Sequence, residues 1–210
     1  MRVAVMGATG RTGRFLVEEL LRRGHQVTVL ARHPARLGPL ADRVTVITGD
    51  SRDPDSLGQL VGGADIVVSA LGPTDKEPTL HQDTAAALIN ALQEQGVQRF
   101  VGISGAGIDV PGDEKGTRDR IISSLIRRLG GAVVADKPAE YHAFAASDLE
   151  WTLVRPPRLK DGSPTGRVAH HAHRPPRATS IRRADLACFL VDTLEQGLYL
   201  RLAPFVAQGS

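Results

Sequence analysis

The chain has 210 residues, 41% hydrophobic and 23% charged, the balance of a globular domain with a substantial core. A net charge of +3 is mild. Its arginine pairs (Arg22 and Arg23, Arg127 and Arg128, Arg182 and Arg183) stand beside no nucleic-acid motif and read as solvated faces, so no nucleic-acid partner is expected. Cys188 is the only cysteine, which excludes an intrachain disulfide, and no apolar run nears the ~20 residues of a membrane span; a reducing cytoplasm and no signal peptide are expected.

Residues 1–13 read MRVAVMGATGRTG. A short apolar strand, 3–6, runs into Gly7, Gly10 and Gly13, and the periodic helix 14–23 follows at once. Strand, glycine turn and helix together hold a dinucleotide pyrophosphate. Gly7 serves the tight turn, Gly10 lets the backbone approach the phosphates, and Gly13 lets the helix pack close. Thr9, Arg11 and Thr12 share that turn. The spacing is G-x-x-G-x-x-G rather than G-x-G-x-x-G, and its place between strand and helix gives it force.

Further strands are expected over 25–30, 44–48, 64–70, 99–104 and 151–155, and helices over 55–61, 80–95 and 137–146. Near-continuous β-branched runs suit strands buried on both faces of a parallel sheet. The alternation predicts an α/β fold: one Rossmann-like, doubly wound domain with a mostly parallel sheet, spanning 1–210. Its C-terminal part, about 151–210, is expected to supply the substrate side. The loops after Met6, Leu30, Thr48, Ala70 and Ser104 should line one crevice at the carboxyl ends of the strands. Segments 105–116 and 160–177 break the pattern and read as loops, either functional lids or surface excursions.

The second strand ends at Arg32, with Arg36 close behind and no acid at its tip. A basic residue there suits the 2′-phosphate of NADP, so NADP(H) is expected over NAD(H). Arg11 could clamp the same phosphate from the glycine turn. Asp50 and Ser51 follow the third strand, where an acid can accept from the adenine amino group or cap a helix. Ala70, Leu71, Gly72 and Pro73 follow the fourth, leaving room for sugar and phosphates or making a plain turn.

The runs GATGRTG, ARHPARL, GDSRD, VVSALG and QRFVGISGAG resemble the atypical short-chain dehydrogenase/reductase superfamily. Within it the chain is similar to the NmrA-like and biliverdin-reductase-B/flavin-reductase group. DKPAEYHAFAASDLEWTLVRPPRL and SIRRADLACFLVDTL resemble that group's later helix, strand and last helix, so the resemblance covers nearly the whole chain. Typical members use a Ser, a Tyr and a Lys, with Tyr four residues before Lys. Ser104 and Lys137 match two of these, but Val133 stands where the tyrosine belongs, and Tyr141 lies four residues after the lysine. Without such an acid, carbonyl reduction is disfavoured.

The resemblance implies hydride transfer to a planar small-molecule acceptor: a flavin, a quinone or a biliverdin-like compound. Orientation would do most of the work, with protonation from solvent. Lys137 would bind the nicotinamide ribose, Ser104 would face the acceptor, and Pro156 and Pro157 would lie under the carboxamide. The alternative implied is a non-catalytic NADP(H) sensor acting through a protein partner. His170, His171 and His173 suggest a short strand with 171 and 173 on one face. With no cysteine nearby they read as a polar rim rather than a metal site. His81 could touch substrate or cap its helix, and Cys188 reads as a small buried residue.

Overall fold

The computed structural model describes residues 1–72, 77–116 and 131–209, without the side chains of 131–135. Pro73, the Arg127 and Arg128 pair and the side chain of Val133 lie outside the described residues. Six parallel strands form the main sheet in the order β3-β2-β1-β4-β5-β6. They are β1 (Arg2–Met6), β2 (Gln26–Ala31), β3 (Thr45–Thr48), β4 (Ile66–Ser69), β5 (Arg99–Ile103) and β6 (Glu150–Val154). The order reverses between β1 and β4, and a ligand crevice lies beyond the carboxyl ends at that point in open α/β sheets.

Each strand divides its side chains between two layers. Val3 and Val5 of β1 join Leu16, Val17 and Leu20 of α1 (Arg11–Arg22) and Leu186 and Leu190 of α5 (Arg183–Glu195). Ala4 and Met6 face the other way, among Leu57 and Leu60 of α2 (Pro54–Val61), Leu88 and Leu92 of α3 (Leu80–Glu94) and Phe144 of α4 (Gly131–Ala145). Both faces are thus covered, which is why β4 reads as an unbroken apolar run. Full burial of one such Leu or Val contributes about 1.5–3 kcal/mol.

Several expectations are corrected. Helix α4 is already formed at Gly131, ahead of the expected 137, and runs through Pro138. A proline is usually found in a first turn, because it lacks an N–H, but Pro138 stands inside this helix. Segment 160–177 is not all loop: it begins at the end of β7 (Arg158–Lys160) and holds β8 (Val168–His171). β7 pairs in parallel with β9 (Ser180–Arg182), and β8 pairs antiparallel with β10 (Phe205–Gln208). A 3₁₀ stretch over Pro34–Arg43, broken at Gly38 and Pro39, was also not expected. No helix among the described residues is long and apolar enough to cross a membrane.

Candidate functional site

The glycine turn is built by close approach. Gly7 has φ +76°, and a Cβ there would lie 2.6 Å from the Ala70 carbonyl carbon. At Gly13 a Cβ would lie 2.0 Å from the Gly7 oxygen, so the first turn of α1 presses directly on the loop that leaves β1. At Gly10 a Cβ would meet only the Gly7 oxygen, at 3.2 Å, which leaves its outer side open. No side chain caps α1 and no acid stands in its first turn. The N–H groups that a helix start leaves without acceptors therefore remain for an anion. Thr12 is buried within that turn and Thr9 half-buried.

Gly7, Thr9, Arg32, Arg36, Ser51 and Leu71 line one cavity of about 90 Å³ at the carboxyl ends of β1 to β4. Ala70 is buried beneath it, and a Cβ at Gly72 would meet nothing within 4 Å. Four charges meet at one end. Glu77 accepts from Arg32 at 2.9 and 3.0 Å and from Arg52 at 2.8 Å. Asp50 accepts from Arg52 at 2.9 and 3.1 Å and lies 3.8 Å from Arg32. The Arg52 hydrogen bond, opposed by burial, holds the Asp50 carboxyl below its usual range.

Asp50 is thus turned to Arg52 rather than left free for adenine. Ser51 does not cap α2: its hydroxyl meets that of Thr84 at 3.0 Å, and Asp53 is the cap, accepting from the Ser56 N–H at 3.0 Å. Arg11 extends into solvent and faces Asp161 at 3.7 Å, away from Arg32's partners.

At the β5 end, Lys137 of α4 donates to the Ile103 carbonyl at 2.8 Å, to Glu140 at 3.0 Å and to His81 Nδ1 at 3.0 Å. These use all three protons of an ammonium, so contact with a ribose requires that one bond be exchanged. Burial, then the Lys137 charge, lowers His81 to about 3. The ring is neutral, and because Nδ1 faces the ammonium its proton sits on Nε2. Among the described residues that Nε2 is buried without a partner, and so is the Ser104 hydroxyl.

Burial pushes the Glu140 carboxyl up while Lys137 opposes the shift. Asp136 accepts from the backbone N–H groups of His81 and Gln82 at 2.7 and 2.8 Å, so it caps α3 in place of the His81 side chain. Tyr141 does not supply the missing tyrosine: it is buried edge-on against Trp151 with ring centres 5.8 Å apart.

The two irregular segments are pinned together. Arg155, 0% exposed, makes a two-bond pair with Asp113 at 2.7 Å and stacks 3.7 Å above the Phe205 ring. That fixes 105–116 to the tip of β6, and the Ala106 N–H donates to the carbonyl of buried Pro156 at 3.2 Å. Glu114 then bonds His173 through the backbone at 2.9 Å and Arg174 through its side chain at 2.6 Å. Asp185 of α5 accepts from the N–H groups of Thr165 and Gly166 at 2.8 and 2.9 Å.

His171 and His173 do not share a strand face, because β8 ends at His171, whose Nδ1 accepts from the N–H of His173. His170 meets the Tyr199 hydroxyl at 2.6 Å. Among the described residues no group of three His, Cys, Asp or Glu could share a metal ion. Cys188 is half-buried rather than buried, and burial raises its thiol.

The sequence reading missed Glu77, Arg52, Asp136, Glu140, Asp113 and Arg155. Only the Asp136, Lys137 and Glu140 spacing, within one helical turn, carried a usable signal.

Residues 7–197 match the NAD(P)H-binding family. The chain belongs to that family. A maize isoflavone reductase homolog is 34% identical over 203 residues, which cover 90% of this chain and 63% of that protein. The chain thus spans under two thirds of that relative's length. A solved structure of a Burkholderia pseudomallei protein is 32% identical, with a TM-score of 0.78 and 99% of both chains covered. A short-chain dehydrogenase/reductase from Veillonella parvula in complex with NADP shares the fold at a TM-score of 0.82 and 20% identity, over 99% of this chain and 94% of that one. The glycine turn and the uncapped α1 fit a dinucleotide diphosphate.

Proposed function

We propose that the chain is an NADPH-dependent reductase that passes hydride to a planar conjugated acceptor of the flavin, quinone or biliverdin-like class. The observation that carries this reading is the state of the groups around Lys137. Its protons are engaged, His81 is held neutral, and Tyr141 is packed in the core. No tyrosine-type acid serves a reacting carbonyl among the described residues. A conjugated ring system needs none, because hydride transfer to it depends on face-to-face placement and its proton can come from water.

In this reading Gly7, Thr9, Gly10, Arg11, Thr12 and Gly13 hold the diphosphate, and Arg32 with Arg36 holds the 2′-phosphate. The NADP of the Veillonella neighbour supports that choice of nucleotide for a shared fold. The bound nicotinamide supplies the hydride. Ser104 Oγ and His81 Nε2, buried and without a partner among the described residues, would orient what binds at the carboxyl end of β5. The anchoring of 160–177 to 105–116 through Glu114 and Arg174 supports a small-molecule site bordered by both segments.

The test is NADPH consumption with FMN, a quinone and biliverdin offered in turn. Turnover with one of them supports the reading. Tight NADPH binding without turnover on any would favour the sensor and its protein partner.

A further inference from the structure

We propose that Glu77 is a built-in competitor for the cofactor's 2′-phosphate and sets how strongly the chain prefers NADP to NAD. The proposal rests on the reading that a dinucleotide binds with its adenosine ribose at Arg32.

Arg32 and Arg52 face Glu77 and Asp50, so two cations already meet two anions at this end of the crevice. The Glu77 carboxylate is the shared member. Both of its oxygens accept from Arg32, and one also accepts from Arg52. Its side chain is only 17% exposed, and its carbonyl accepts from the Leu80 N–H at 3.2 Å, which ties it to the start of α3. The carboxylate thus stands on the guanidinium that the 2′-phosphate needs.

Glu77 takes both of its bonds from Arg32 Nη1, so a 2′-phosphate on the other edge of the guanidinium would lie beside a carboxylate of like charge. NADP must therefore displace Glu77 from Arg32 or bind against its charge, and either way its binding is weakened. NAD meets no such cost, since a 2′-hydroxyl can donate to the Glu77 or Asp50 carboxylate as it stands. The arginines favour NADP and Glu77 moderates that preference.

A glutamine keeps an oxygen that can accept from a 2′-hydroxyl, so removing the charge alone should act chiefly on the 2′-phosphate. The experiment is calorimetric titration of the wild type, Glu77→Gln and Arg32→Ala with 2′,5′-ADP and with 5′-AMP, repeated with NADP and NAD. Glu77→Gln is expected to tighten 2′,5′-ADP and NADP about fivefold, the worth of a partly exposed ion pair, while 5′-AMP and NAD stay within about twofold. Arg32→Ala is expected to weaken the 2′-phosphorylated ligands.

If Arg32→Ala weakens them but Glu77→Gln leaves the ratio between the two ligand classes unchanged, the role of Glu77 is overturned and the dinucleotide site stands. If neither variant moves the ratio, the 2′-phosphate is not at Arg32 and both readings fail. Should Glu77→Gln not fold, Glu77→Asp, which shortens the reach to Arg32, is expected to move the ratio the same way, and no shift there also overturns the proposal.

Discussion

A Cβ on Gly13 would stand 2.0 Å from the carbonyl oxygen of Gly7, whereas one on Gly10 would stand 3.2 Å from the same atom. The two glycines therefore fail differently when substituted. Gly13→Ala forces the helix off the β1 loop and is expected to lower stability by about 1–3 kcal/mol. Gly10→Val is expected to leave a folded chain whose side chain fills the space above the turn and blocks NADP. Melting curves with and without NADP separate the cases. A Gly10→Val protein still stabilised by NADP would show that the diphosphate lies elsewhere.

Arg32→Asp replaces a phosphate donor with a repelling charge beside Glu77 and Asp50. NADP binding is expected to fall by at least about tenfold, and NAD binding far less. Titration of both nucleotides checks it, and equal losses would remove Arg32 from the phosphate site.

The Arg155 and Asp113 pair ties segment 105–116 to the end of β6. Asp113→Asn leaves a guanidinium that is 0% exposed without its carboxylate, at a cost of about 3–5 kcal/mol. The urea midpoint is expected to fall accordingly, and an unchanged midpoint would mean that the buried arginine finds other compensation.

His81 gives stability a definite pH dependence. Its folded value of about 3 lies below the ordinary 6.5, so the unfolded chain takes up the proton first as pH falls. The His81 contribution is complete above about pH 6.5 and is lost as pH falls toward about 3. Between pH 7 and pH 4, His81→Gln should lose about 3 kcal/mol less stability than the wild type. Parallel losses in the two proteins would show that His81 is not held neutral.

The parallel sheet and the glycine turn could be read ahead of the structure because their signals are local. β1 to β6 are short runs rich in apolar and β-branched residues, and Gly7 to Gly13 lie between one strand and one helix. β8 and β10 could not be read that way. They pair across 34 or more residues, as His171 with Phe205 and Val168 with Gln208, and neither carries an alternating pattern. The site divides likewise. Arg32 is visible from its place just after β2 and Lys137 from the family resemblance, but Glu77 on Arg32 and Asp113 on Arg155 are long-range partners that no spacing encodes. Pro138, of a residue type that marks a first turn in most helices, stands inside α4, so the residues ahead of it gave no sign of belonging to the helix.

The most direct test of the central claim is the rate of NADPH oxidation by the wild-type chain with FMN, a quinone or biliverdin, followed from about pH 6 to 8. The account predicts turnover with at least one acceptor and no ionisation step from His81 or Tyr141 in that range, since His81 titrates near 3 and Tyr141 is raised by burial. NADPH bound tightly but not consumed with any acceptor would contradict it.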